Sequence, residues 1–212
     1  MLIRIDLEAV MATAQRNAMV SNVVEDTVGK MDALIARLNE VWDGGASEQA
    51  LDAFRELRQK ATKLGEANNE NNDLIMKFAD AFRALDEAVP IGIKIPISGV
   101  ISDLPNLIIG RGWLPKLILP LIQSVRIIPE EVREVAAQVQ DIGRIYGDTA
   151  MELRDRKNDL MNSWEGKSAQ RYARDTEELV RGFINMAESL EEYAHKLFVA
   201  ADRYEELDES LM

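Results

Sequence analysis

Residues 164–211, WEGKSAQRYARDTEELVRGFINMAESLEEYAHKLFVAADRYEELDESL, decide the fold. Within them Tyr172, Thr176, Leu179, Phe183, Met186, Leu190, Tyr193, Leu197, Ala200, Tyr204, Leu207 and Leu211 recur at alternating spacings of four and three. That period draws one apolar stripe along a helix of roughly forty residues, the packing surface of a bundle or coiled coil. Subtracting 122 from each number gives Ala50, Phe54, Leu57, Ala61, Leu64, Asn68, Asn71, Ile75, Phe78, Phe82, Leu85 and Val89. The same stripe reappears, interrupted only by two asparagines in the polar run NNENND, residues 68–73. Asparagine at a seam reads as a local weak point or as a device that sets register.

The preceding segments carry the same spacing. Val24, Val28, Met31, Ile35, Leu38 and Trp42 form one seam. Val132, Val135, Val139, Ile142, Tyr146, Thr149 and Leu153 form the other, completed by Leu160 and Trp164. Pro129 followed by Glu130 and Glu131 is a helix start, because proline suits the first turn and acids suit the dipole. Asp6 is placed to cap the first helix, with Glu8 in its first turn. Each arm breaks once, at Trp42-Asp43-Gly44-Gly45 and at Trp164-Glu165-Gly166, where glycine supplies the conformation that turns the chain. The two tryptophans are 122 residues apart, the same offset that superposes the stripes. Seam and turn therefore agree on an internal duplication. A lone hairpin would leave its stripe in water, whereas two hairpins bury theirs against each other. The expected fold is all-α: two tandem helical hairpins in an elongated four-helix bundle.

Charge and proline divide the 212 residues into three parts, a first hairpin (1–89), an insert (90–129) and a second hairpin (130–212). The hairpins carry net charges of −6 and −9 and contain no proline inside the helical seams; the insert carries +3 and all six prolines. The whole chain is at −12, which argues against nucleic acid as a partner, since phosphate neutralisation needs a basic surface. It has no cysteine and a single histidine, His195. That removes disulfides, thiolate zinc sites and nearly all histidine-based metal or triad chemistry. No catalytic residue, metal or cofactor is expected, and no enzyme. The opening MLIRIDLEAV lacks the pattern of a Sec signal peptide. Charges at 94, 103, 111 and 116 break the apolar insert, so a spanning helix of about 20 uncharged residues is not expected.

A hairpin of about a hundred residues turned by Trp-x-Gly resembles the WXG family, the small early-secreted-antigen type substrates of type VII (ESX/Ess) secretion systems. The opening IRIDLEAV is similar to that family's start, and the resemblance covers both arms but not the insert. It implies hairpins packed antiparallel, cytoplasmic until export and then secreted or at the cell surface. It also implies a C-terminal Tyr-x-x-x-Asp/Glu export segment beside a Trp-x-Gly turn, recognised by the secretion ATPase or an adaptor. Tyr204 and Asp208 fit that segment, while the first copy has Phe82 and Asp86 there, without the hydroxyl. One composite signal is thus expected, Trp42 and Gly44 with Tyr204 and Asp208, in what amounts to a covalently fused dimer. The second turn, Trp164 and Gly166, would face the ends of the first copy. Another WXG-like protein or a toxin is a further possible partner under this resemblance.

Plainer roles stand beside these. Trp42 and Trp164 double as core aromatics, and Tyr204 as a packed tyrosine with its hydroxyl at the rim. His195 and the pairs Glu177/Glu178 and Glu191/Glu192 read as solvated, and Met76, Met151, Met161 and Met186 as core filler. The insert reads as a crossover folding its apolar residues onto the bundle. Its alternative is an exposed patch of Ile91, Ile93, Ile108, Ile109, Trp113, Leu117 and Leu119 for a membrane surface or a partner. Antiparallel hairpins separate residues 89 and 130 by about 60 Å, which about 18 extended residues cover. A membrane-active helical effector and a cytoplasmic adaptor or chaperone for a larger toxin are the other functional classes.

Overall fold

Two short strands and two long helices make each half of the computed structural model, which describes residues 4–87 and 126–210. Strand β1 (Arg4–Ile5) leads into helix α1 (Leu7–Val41), and β2 (Trp42–Asp43) into α2 (Gly45–Glu87). The second half repeats the series: β3 (Arg126–Ile127), α3 (Pro129–Met161), β4 (Trp164–Glu165) and α4 (Lys167–Ser210). The Asp6 carboxylate accepts the Ala9 N–H at 3.0 Å and so starts α1. Helix α3 has no side-chain cap; Pro129 fixes its first turn, and Glu130 and Glu131 face its positive end. Gly44 and Gly166 sit at φ 124° and 123°, a region that strains any residue with a Cβ, so both turns require glycine.

The four helices form the expected bundle and run around it in the order α1, α2, α4, α3. Helices α2 and α4, of 43 and 44 residues, exceed the expected length and reach about 65 Å at 1.5 Å per residue. The hairpins are antiparallel, and the strands show why. Strand β1 pairs with β4 at the far turn, Ile5 opposite Trp164 and Arg4 opposite Glu165. Strand β3 pairs with β2 in the same manner, Ile127 opposite Trp42 and Arg126 opposite Asp43. The Asp6 N–H donates to the Ser163 carbonyl at 3.1 Å, and the Ile128 N–H to that of Val41 at 3.0 Å. Every partner in one ladder is offset by 122 from its counterpart in the other, so the duplication is a pseudo-two-fold axis. Sequence patterning gave no warning of these strands: two residues are too few for a period.

The stripes read from the sequence form the core. Leu57, Leu64, Phe183, Met186, Leu190 and Leu197 are all buried, as are Met31, Leu38, Val139 and Leu153. Three expectations need correction. Leu207, placed on the packing stripe, is 46% exposed near the end of α4. Met151 is 57% exposed and is not core filler, because its place on α3 faces outward. Glu177 is not merely solvated: it accepts from Lys157 and faces Arg154, and these cations hold its carboxyl below the usual range. Met186 is buried, Met76 and Met161 are partly buried against the core, and His195 is exposed.

Three core tyrosines couple the fold to alkaline pH. Burial pushes the Tyr146 phenol up to about 12, against an ordinary value of 10.0, moderated by its hydrogen bond with Thr27. Burial raises Tyr172 and Tyr193 as well. A folded-state value above the unfolded one gives stability that is complete below about pH 10 and lost as pH climbs toward the folded value. Urea unfolding measured between pH 7 and 11.5 should show constant stability, then a fall above about pH 10 of up to about 1.4 kcal/mol per pH unit per phenol. Tyr146→Phe should make that fall shallower; an unchanged slope would contradict the assignment.

Candidate functional site

Both ends of the bundle are built on the same backbone, a Trp-x-Gly turn clasped by the leading strand of the other hairpin. Their side chains differ. At the first end, Trp42 is held by the β2–β3 ladder and is 1% exposed. The half-buried ring of Tyr204, from the last turns of α4, meets it edge to face, with centroids 6.2 Å apart and planes at 77°. Burial raises the Tyr204 phenol above its ordinary value, and the nearby Trp42 indole tempers the rise. That proximity falls short of hydrogen-bond geometry, and the Trp42 Nε1–H has no partner among the described residues. Ile127, in this ladder, and Ile128, beside it, are partly buried against the core.

Arg133, on the second turn of α3, anchors the Tyr204 segment. Its guanidinium donates to Asp202 at 2.8 and 3.1 Å and also to Glu205. These two acids bracket Tyr204 on α4, so the cation orients the helix end that carries the ring. Arg37 pairs with Glu131 at 2.5 Å across α1 and α3 in the same region. Sequence reading missed Arg133, because only the fold-back of the second hairpin brings the start of α3 beside the tail of α4.

The second end is packed by different rings. Trp164, also 1% exposed, lies between Phe78, edge to face at 5.7 Å, and Tyr172, stacked at 5.7 Å. By the 122-residue offset, the positions of Phe78 and Tyr172 correspond to Ala200 and Ala50 at the first end. Large rings thus seal Trp164, where alanines leave Trp42 to Tyr204. Phe82, the counterpart of Tyr204, is half-buried and brings no hydroxyl.

The structure therefore brings Trp42, Gly44 and Tyr204 together at one end and sets Trp164 and Gly166 at the other. Asp208 lies on the last turns of α4, but its side chain is outside the described residues, as is that of Asp86. Ile91, Ile93, Ile108, Ile109, Trp113, Leu117 and Leu119 also lie outside the described residues. No helix among those described is long and apolar enough to cross a membrane.

Comparison with known proteins agrees with this architecture. A family model described as WXG100, proteins of 100 residues with WXG, matches twice, over residues 2–87 and 124–209. Protein YukE of Bacillus subtilis is 32% identical over 93 residues, 44% of this chain and 96% of that relative. The chain is thus similar, over less than half its length, to nearly the whole of that relative. No solved structure matches it.

The ring contact can be tested in a chain whose only indole is Trp42, made by Trp113→Phe and Trp164→Phe. Tyr204→Ala should shift its emission to the red and lower stability by about 0.5–1.5 kcal/mol beyond lost area. Tyr204→Phe should leave the emission maximum in place. Equal spectra for all three chains would mean that Tyr204 does not cover the indole.

Proposed function

The chain belongs to the WXG100 family in tandem form, and from that premise we propose a non-enzymatic substrate of a type VII secretion system, exported as a folded, covalently fused pair of hairpins. The family match and the similarity to Protein YukE support a secreted type VII substrate role for this chain. The finer reading is that Trp42 and Gly44, with Tyr204 and Asp208, form one composite export signal, recognised by the secretion ATPase or an adaptor. The observation that carries it is the edge-to-face contact between Trp42 and Tyr204, which joins a turn of one hairpin to the tail of the other. That signal is complete only when both hairpins are docked, which makes export conditional on the folded pair. Arg133 then acts by positioning, through Asp202 and Glu205.

The two ends also account for one signal per chain. Trp164 is stacked and capped by rings of its own bundle, whereas the Trp42 end presents a phenol at its rim. Before export the protein resides in the cytoplasm, and afterwards it is secreted or at the cell surface. In a host carrying the system, Tyr204→Ala and Asp208→Ala should each reduce export by about tenfold or more, the loss expected for a recognition anchor. Phe82→Ala, at the counterpart position, should be exported like the unmodified chain. Unchanged export of Tyr204→Ala, with helicity intact by circular dichroism, would overturn the signal assignment.

A further inference from the structure

A buried polar layer cuts the apolar core in two. On the Trp42 side the core ends at Val20, Ala67 and Leu179; on the Trp164 side it resumes at Ala14, Ile75 and Tyr172. Between them lie Asn17, Asn68, Asn71 and Thr176, each about 1% exposed or less. The Asn68 amide donates to the Asn17 carbonyl at 3.1 Å and to Ser21 Oγ at 3.0 Å. The Asn71 amide donates to Thr176 Oγ1 at 3.1 Å, and the Asn17 amide to the Tyr172 hydroxyl at 3.5 Å. The amides come from the first hairpin and two of their partners, Thr176 and Tyr172, from the second. The Oδ1 atoms of Asn17, Asn68 and Asn71 have no partner among the described residues. Each amide therefore has little bonding to spare.

The pseudo-two-fold axis supplies the control. At the other end of the bundle the corresponding positions are Val139, Leu190, Tyr193 and Phe54, and the layer there is apolar. Tyr193 packs on Phe54 with centroids 5.0 Å apart and donates its hydroxyl to the Ala50 carbonyl at 2.8 Å. If two first hairpins docked in this geometry, Asn71 would meet Phe54 instead of Thr176, and Asn17 would meet Ala50 instead of Tyr172. The amides would be buried without those bonds, and the fault would occur at both ends. If two second hairpins docked, Tyr193 would lose Phe54 and would face the bulk of Tyr172 where Ala50 now stands. Only the unlike pair gives the Asn17 and Asn71 amides, and the Tyr193 ring, the partners seen here.

We propose that this layer makes the first hairpin selective for the second hairpin of its own kind of chain, by leaving buried amides unpaired when two first hairpins dock. A near-symmetric duplication needs such a device, because its two halves share the stripe, the turn and the strand register. Losing a partner from a buried polar group disfavours the wrong pair by about tenfold or more per group. The inference rests on the reading of the chain as a docked pair, but it uses no residue of the export signal. Its failure is thus separable from failure of the Tyr204 export test.

The test starts from the full chain carrying one engineered protease site within residues 88–125, cleaved while folded. The nicked protein is unfolded in urea, refolded by dilution, and its pairs are counted by native mass spectrometry. The unlike pair should exceed its statistical share over the two like pairs by at least about tenfold. A statistical mixture, or failure of the unlike pair to re-form, would overturn the proposal. Tyr172→Ala with Thr176→Phe gives the second hairpin the first hairpin's residues at this layer. That variant should lose most of the excess; retention of the full excess would also overturn it. If the variant does not refold, the count on the unsubstituted chain still decides.

Discussion

The pairing of each Trp-x-Gly turn with the leading strand of the other hairpin is the constraint on which the structure depends. A helical hairpin with one apolar stripe has many ways to bury it, since neighbouring registers along a bundle differ little in area. The ladder register, Ile5 opposite Trp164 and Ile127 opposite Trp42, with main-chain bonds from Asp6 to Ser163 and from Ile128 to Val41, admits only one of them. They also force the antiparallel arrangement, because each leading strand must reach the far turn. With the ends clasped, the four seams meet in register, and the tail of α4 arrives beside Trp42 rather than beside the open end of the first hairpin.

The clasp makes the two ends equivalent in backbone, so every difference between them is written in side chains. Phe78 and Tyr172 close over Trp164, while Ala200 and Ala50 occupy the matching places at the other end. Asn68 and Asn71 bring polarity to one layer, where Leu190 and Tyr193 keep the other apolar. A duplication confined to one chain can diverge in this manner at little cost, because each half needs to fit only one partner. The result is a bundle with one end where two rings pack on a buried indole and one where a phenol stands at the rim against a buried indole.

Much of this was legible in the amino-acid sequence, for a physical reason. The four-three spacing of the stripes is long enough to identify four helices, and the 122-residue offset ties two turns to two seams. Asp6 and Pro129 mark helix starts by chemistry local to the sequence, and both do so in the structure. The approach of Tyr204 to Trp42 followed once the hairpins were taken as antiparallel. The strands were not legible, because two residues carry no period and their pairing is wholly non-local. Arg133 was hidden for the same reason: its partners lie about seventy residues away on another helix. The outward turn of Met151 and the pairing of Glu177 depend on where α3 meets α4, which spacing along either helix does not specify.

The most direct measurement of the account uses the absence of cysteine from the chain. Asp43 and Arg126 stand opposite each other across the β2–β3 ladder. Replacing both by cysteine places the two thiols within the reach of a disulfide, whose Cα atoms lie about 4.4–6.8 Å apart. Under mild oxidation a disulfide should form within one chain, at the mass of a monomer, with helicity unchanged. A disulfide-linked dimer, or free thiols under those conditions, would contradict the clasp of one hairpin by the other within a single chain.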